Sequence, residues 1–221
     1  MDPALWPLAG LRLETPRLEL RLPSEDDLAE LALLAAAGVH EPKVQPFAVA
    51  WTDVPPPERA RSVLQHHWRT LAAWTPENWA LHFVVVCDGA VVGTQGMSGR
   101  EFAVLREVAT GSWLGLEYQG KGIGTEMRAA VLHVAFVGLA TAYAVSGAFT
   151  DNAASLRVSR KLGYTDDGSE AHVNRGQPAM VRRLRLDRRT WQATHTLPVT
   201  ICGLEPCLPM FGLSGDEPAR A

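Results

Sequence analysis

Residues 111–125, GSWLGLEYQGKGIGT, carry the spacing with the most chemical content in the chain. Strand-forming residues run into a glycine-rich loop, and a helix-forming run starts directly after it. Such a passage turns several backbone N–H groups into one concavity, backed by the positive end of the helix dipole. At Gly120, Gly122 and Gly124 the missing Cβ lets an anion approach the main chain. The chemistry implied is phosphate or pyrophosphate binding. Packing alone also produces glycine turns before helices, and that reading stands beside it. Two nucleotide loops are excluded by spacing. A Walker loop needs a hydroxyl after its lysine, and Lys121 is followed by Gly122. A dinucleotide fingerprint needs G-x-G-x-x-G near the first strand, whereas G-x-G-x-G lies mid-chain here.

Gln119, Gly122 and Gly124 meet the pattern Q/R-x-x-G-x-G/A. In this the chain resembles the GNAT superfamily of acyl-CoA-dependent N-acyltransferases, over about residues 13–186. PRLELRLPSEDD near the start is similar to the RimL-type branch. So are Asn152-Ala153-Ala154-Ser155 and Arg160-Lys161-Leu162-Gly163-Tyr164. GSWLGLEYQGKGIGTEMRAAVL and DNAASLRVSRKLGY also resemble an actinobacterial RimL-like subgroup that uses succinyl-CoA.

The resemblance implies a site. Residues 113–116 splay from a parallel strand near Val145, leaving a V for the pantetheine arm, which pairs with backbone groups of Leu114 and Leu116. Amides of Gly120, Lys121, Gly122, Ile123, Gly124 and Thr125 hold the pyrophosphate, with help from the Gln119 side chain. The Lys121 side chain lies near the 3′-phosphate. Asn152 bonds the pantetheine amides and Ser155 assists; capping a helix is the other reading of Asn152. The Leu114 N–H is the oxyanion donor. Many members carry a tyrosine acid where Ser159 stands, so Ser159 is the acid candidate, a helix-face serine being its alternative. The usual glutamate position holds Ala109. Glu107, two residues earlier, is the base candidate, with a solvated strand carboxylate as its alternative; Ser112 and His82 are weaker choices. His133 reads as a packed core histidine. No metal is implied.

The elements that must position these residues read as follows. Alternation in residues 15–22 makes a strand, and Ser24 with Asp27 forms a capping box for a helix stopped by Gly38. Residues 42–57 are proline-rich and irregular; residues 58–74 form a second helix. Asp88-Gly89 joins strands 79–87 and 90–97. A strand at 107–116, a helix at 125–138, a strand at 141–148, a helix at 152–162 and two strands ending at Leu186 follow. This is a single α/β domain, with a mixed sheet of six or seven strands and about four helices. Residues 1–191 form the domain. Residues 192–221 form a tail that adds an extra strand and, through Val199, Ile201, Leu204, Leu208, Met210 and Phe211, packs on a neighbouring copy. A homo-oligomer is therefore expected, and the last few residues are expected to fray.

The basic run Arg182, Arg183, Arg185, Arg188 and Arg189 reads as a solvated strand face, or as a clamp for an anionic acyl group. Trp51, Trp68, Trp74 and Trp79 suit core or interface positions, and those near residues 42–57 suit an acceptor pocket.

The 221 residues hold 21 basic and 24 acidic side chains, a net charge of −3, which argues against a nucleic-acid partner. Cys87, Cys202 and Cys207 form no disulfide framework and no zinc site. No stretch approaches the ~18 apolar residues of a membrane span, and the N-terminus lacks a signal-peptide pattern. A cytoplasmic enzyme is expected. It moves an acetyl or succinyl group from its acyl-CoA co-substrate to an amine: a protein N-terminus, a lysine or a small amine. A non-catalytic acyl-CoA-binding module and an antibiotic-resistance acyltransferase remain the alternatives.

Overall fold

The computed structural model describes residues 1–214. The elements run β1 (Arg12–Glu14), β2 (Leu18–Arg21), α1 (Glu25–Ala37), α2 (Pro56–Ala72), β3 (Asn78–Cys87) and β4 (Ala90–Arg100). Next come α3 (Phe102–Leu105), β5 (Glu107–Leu114), α4 (Ile123–His133), β6 (Tyr143–Phe149) and α5 (Ala153–Lys161). The last are β7 (Thr165–Asn174), β8 (Gln177–Asp187), α6 (Arg188–Thr194) and β9 (Thr200–Cys202).

Local chemistry accounts for several boundaries. Ser24 accepts from the Asp27 N–H while the Asp27 carboxylate accepts from the Ser24 N–H, so both ends of the capping box are made. At Gly38, φ is +130°, which ends α1 where a side chain would be strained. Asp88 and Gly89 both have positive φ, the conformation that suits the right-handed twist of a two-residue hairpin.

The strands form one sheet in the order β7-β8-β6-β5-β4-β3-β2-β1-β9. Only β5 and β6 pair in parallel; every other pairing is antiparallel. The sheet has more strands than the six or seven expected, because β1 and β9 join at one edge. β1 is three residues long, too short for alternation to declare it, and β9 is the extra strand expected of the tail. The short helices α3 and α6 likewise exceed the four expected.

Alternation along β5 divides the molecule into two layers. Val108 and Leu114 enter the main core, with Ile123 and Met127 of α4 and Leu156 of α5. Trp113 points the other way, against a smaller cluster of Leu31, Val63, Val84, Val86 and Val91 from α1, α2, β3 and β4.

The tail contributes to the fold of its own chain. Its extra strand exists and pairs with β1, Leu13 opposite Ile201. Cys207 and Phe211 are fully buried in the main core, and Leu204, Leu208 and Met210 pack against it. Trp74 Nε1 donates to the Met210 carbonyl at 2.8 Å, and the Phe211 and Trp79 rings lie 4.9 Å apart. The segment thus completes the fold of its own chain, past the boundary drawn at residue 191. Of its apolar side chains Phe211 is buried, while Val199, Ile201, Leu204, Leu208 and Met210 pack on the core and stay partly exposed. The expected fraying of the last residues concerns positions 215–221, outside the described residues. Among the described residues, no helix is long and apolar enough to cross a membrane.

Candidate active site

The parallel pairing of β5 with β6 covers Glu107–Tyr143, Val108–Ala144 and Ala109–Val145, and then stops. Beyond that point β5 stays paired with β4 as far as Leu114, and β6 stays paired with β8 as far as Phe149. Each strand keeps its outer neighbour and loses its inner one, so the sheet opens into a V. At its throat, Thr110 Oγ1 donates to the Val145 carbonyl and Ser146 Oγ to the Thr110 carbonyl, both at 3.4 Å.

Register decides which backbone groups face the gap. The Gly115 N–H donates to the Val92 carbonyl at 3.0 Å. Hydrogen-bonding positions alternate in an antiparallel ladder, so Trp113 and Gly115 aim at β4, while Ser112 and Leu114 aim into the V. The Leu114 carbonyl accepts from Gln119 Nε2 at 3.0 Å. The Leu114 N–H faces the gap with no partner among the described residues.

Two expectations change here. Gln119 Nε2 also donates to the Val39 carbonyl at 2.8 Å, so this side chain ties the end of α1 to the end of β5 and is not directed at an anion. The Leu116 N–H donates to the Gly38 carbonyl at 3.3 Å, and the Leu116 carbonyl accepts from the Gln119 N–H at 3.2 Å. Both backbone groups of Leu116 are therefore engaged within the protein.

The glycine loop lies at the mouth of the V. Gly120 and Gly122 have φ of +75° and +83°, and a Cβ on Gly120 would meet nothing within 4 Å. Gly122 caps α4 without a side-chain partner for the first-turn amides. The N–H of Thr125 turns back to the Gly122 carbonyl at 3.1 Å. Those of Gly120, Lys121, Gly122, Ile123 and Gly124 have no acceptor among the described residues. The loop is held from below by Glu126, a buried carboxylate. It accepts from Thr15 Oγ1 at 2.7 Å and from the Arg17 backbone at 3.2 Å, and pairs with the Arg17 guanidinium at 2.6 Å. Arg17 Nη1 also donates to the Lys121 carbonyl at 3.2 Å. Sequence reading missed this brace, because Arg17 and Glu126 are 109 residues apart.

On the α4–α5 side of the V lies a buried polar cluster. Arg128, 4% exposed, donates from Nη1 to Ser159 Oγ at 2.9 Å and from Nη2 to Ser112 Oγ at 3.4 Å. Its Nε has no partner, nor has Oε1 of the buried Gln95, whose Cα partner is Ser112. Burial pulls the Arg128 pKa below its ordinary value and pushes that of Tyr164 up. The Tyr164 hydroxyl lies 3.2 Å from Thr110 Oγ1. Nearby, Asn152 Oδ1 accepts from the Ser155 N–H at 3.0 Å, so Asn152 caps α5. Its amide nitrogen is uncommitted among the described residues.

The opposite face of β5 is a shelf. Ala109 and Gly111 are exposed, and a Cβ on Gly111 would meet nothing within 4 Å. Aromatic rings run along one side: His40–Phe47 at 5.8 Å, Phe47–Trp51 at 5.2 Å and Trp51–Trp113 at 5.7 Å. The β7–β8 hairpin holds the 42–55 segment in place. Arg175 grips Asp53 with two bonds of 2.6 and 2.7 Å, and Asn174 Nδ2 donates to the Gln45 carbonyl. Across the sheet, His82 opposes Gly96, which opposes Gly111. The His82 and His66 rings are 4.7 Å apart. Burial lowers the pKa of His82 and of His67 to about 4, and that of His66 in the same direction.

The structure therefore gathers Leu114, Ser112, Ser159, Asn152, Ser155 and the glycine loop around the V. It does not bring Glu107 with them. Glu107 is seven residues from Leu114 along an extended strand, roughly 23 Å away. Its carboxylate pairs with Arg185 at 2.8 Å. The basic run is engaged locally: Arg182 faces Asp166 at 3.6 Å, Arg183 donates to the Asp167 carbonyl, and Arg188 to that of Thr141. His133 Nδ1 lies 3.2 Å from His195 Nε2.

Residues 17–165 match the model of the acetyltransferase (GNAT) domain. Among solved structures, the chain is similar to RimL, a ribosomal-protein alpha-N-acetyltransferase in complex with coenzyme A. The identity is 20% and the TM-score 0.60, over 78% of this chain and 95% of that one. The acetyltransferase of Salmonella typhimurium that modifies the N-terminal serine of a 50S ribosomal subunit protein gives 19% and 0.62, over 78% and 96%. The ribosomal-protein-S5-alanine acetyltransferase from Vibrio fischeri gives 19% and 0.59, over 81% and 98%.

Proposed function

Because the chain belongs to the acetyltransferase (GNAT) domain family, we propose that it moves an acetyl group from acetyl-CoA to the N-terminal amine of a protein, both substrates being held at once. The observation that carries this is the interrupted pairing of β5 and β6 after Ala109 and Val145, with the Leu114 N–H facing the gap. The pyrophosphate of CoA suits the amides of Gly120, Lys121, Gly122, Ile123 and Gly124, where a helix end and backbone donors supply positive potential. The pantetheine arm fits the V, within reach of the Asn152 amide nitrogen. The Leu114 N–H then donates to the thioester oxygen as it becomes an oxyanion. Ser159 is the candidate acid for the departing sulfur.

The acceptor reading draws on the shelf. The exposed Ala109 and Gly111 leave room for an extended N-terminus, with Trp51 and Trp113 as its apolar wall. Proteins acetylating ribosomal-protein N-termini are among the similar structures. The amine attacks as its neutral form, and orientation between shelf and V supplies much of the rate.

A thermal-shift panel with CoA, acetyl-CoA and succinyl-CoA tests the reading. Ligand at 100 times its Kd stabilises the native state by about 2.7 kcal/mol. Gly122→Glu, which sets bulk and negative charge among the loop amides, should abolish the shift. Absence of any shift with all three ligands defeats the proposal. A larger shift with succinyl-CoA would replace the acetyl donor. CoA release without an added amine would place the protein among acyl-CoA hydrolases, and no release with amine would leave a binding module.

A further inference from the structure

Arg128 is a cation buried without an anion. Among the described residues no carboxylate lies within 4.0 Å of it. Glu126, two residues earlier on α4, is turned to Arg17 instead. The groups that face Arg128 are neutral: Ser112 of β5, Ser159 of α5 and the Tyr164 phenol beyond α5. A guanidinium this deeply buried is retained only where something repays its lost hydration. Its two contacts straddle the V, one on each diverging side: Ser112 lies on β5, and Ser159 on the helix that follows β6.

We infer that Arg128, acting through the Ser159 hydroxyl, stabilises the negative charge that forms on the sulfur of coenzyme A as the thioester breaks. The inference rests on the acyl-CoA reading above. In that step the amine nitrogen bonds to the carbonyl carbon, the C–S bond breaks and its electron pair goes to sulfur. The proton lost by the nitrogen goes to water. Ser159 Oγ accepts from Arg128, and its own proton has no acceptor among the described residues, which leaves it to be given to the sulfur. A hydroxyl already bonded to a cation is a stronger donor than a lone serine. Arg128 is thus a positioning residue, and Ser159, fully buried in this structure, is the group assigned to the sulfur once CoA displaces the packing over it.

The test is the titration of the CoA thiol in its complex with the full chain, read by thiolate ultraviolet absorbance with desulfo-CoA as the blank. An ordinary thiol titrates near ~8.5. In the wild-type complex the thiol should titrate about one pH unit or more lower. Arg128→Met should return it to the free value, Ser159→Ala should do the same with Arg128 still present, and Arg128→Lys should recover part of the effect. In turnover, Arg128→Met should lower kcat about tenfold, one pKa unit's worth, with KM for the acyl donor unchanged. A wild-type thiol at or above the free value overturns the inference, even if every variant fails to fold. Failure of the wild type to bind CoA overturns the acyl-CoA reading as well; binding with an unshifted thiol overturns only this one.

Discussion

One octapeptide, Glu107–Leu114, builds both walls of the site, and its two faces differ in how they are filled. Toward α4 and α5 it presents Val108, Thr110, Ser112 and Leu114, packed or hydrogen-bonded into a core where a guanidinium is sealed. Toward α1 and α2 it presents Ala109 and Gly111, exposed and small, under a rim of tryptophans and neutral imidazoles. The closed face suits a ligand that never changes, since every donor is already aimed before binding. The open face suits an acceptor that differs between related proteins, since its walls come from the 42–55 segment and the β7–β8 hairpin. A chain of small residues on one side of a strand is thus as much a functional feature as a buried arginine on the other.

That contrast can be broken, most forcefully by acid. His82 is held neutral at the edge of the shelf, with a folded pKa of about 4 against an ordinary 6.5. Between those values the unfolded chain binds a proton that the folded chain refuses. Stability from this residue is complete above pH ~6.5 and is lost as pH falls toward ~4, by up to about 3 kcal/mol. His67 acts in the same direction. Urea unfolding at pH 7 and pH 4.5 measures the loss, and His82→Asn should flatten it. An equal pH slope in the variant would mean that this wall is wetter than described.

Next in size is a single methyl group on the closed face. A Cβ at Gly93 would run into the Trp113 carbonyl oxygen and come within 2.9 Å of Leu114 Cα. These are backbone atoms that move only if β4 and β5 part. Gly93→Ala should destabilise by about 1–3 kcal/mol in urea and weaken acetyl-CoA binding with it.

The smallest effect on stability belongs to the same substitution across the strand. Gly111→Ala adds its methyl to open space and should change stability by less than about 0.5 kcal/mol. It should raise KM for the amine acceptor while leaving KM for acetyl-CoA alone. Equal losses of stability from Gly93→Ala and Gly111→Ala would erase the difference between the faces.

Much of the frame was legible in the residues. The Ser24–Asp27 capping box, the stop at Gly38, the Asp88-Gly89 turn and the glycine loop before α4 are local devices. Their partners lie within a few residues, so spacing alone encodes them. What spacing left open were contacts between distant segments. Glu107 reads as a base from its place two residues before Ala109, yet its partner is Arg185 on β8. Gln119 reads as an anion donor, yet Val39 claims it. Phe211 of the tail reads as an assembly contact, yet Trp74 and Trp79 bury it.

The sequence by itself determined that a strand, a glycine-rich loop and a helix follow one another, because backbone conformation at Gly120 and Gly122 depends on the residues themselves. It determined, too, the resemblance that named the cofactor. Only the tertiary structure decided that Arg17 and Glu126 brace the loop and that Arg128 meets Ser112 and Ser159 in a place without a counter-ion. Those pairings join residues 16 to 109 positions apart. No local preference specifies them; they arise when the sheet and helices close over a common core and each buried polar atom must take whatever partner the packing brings.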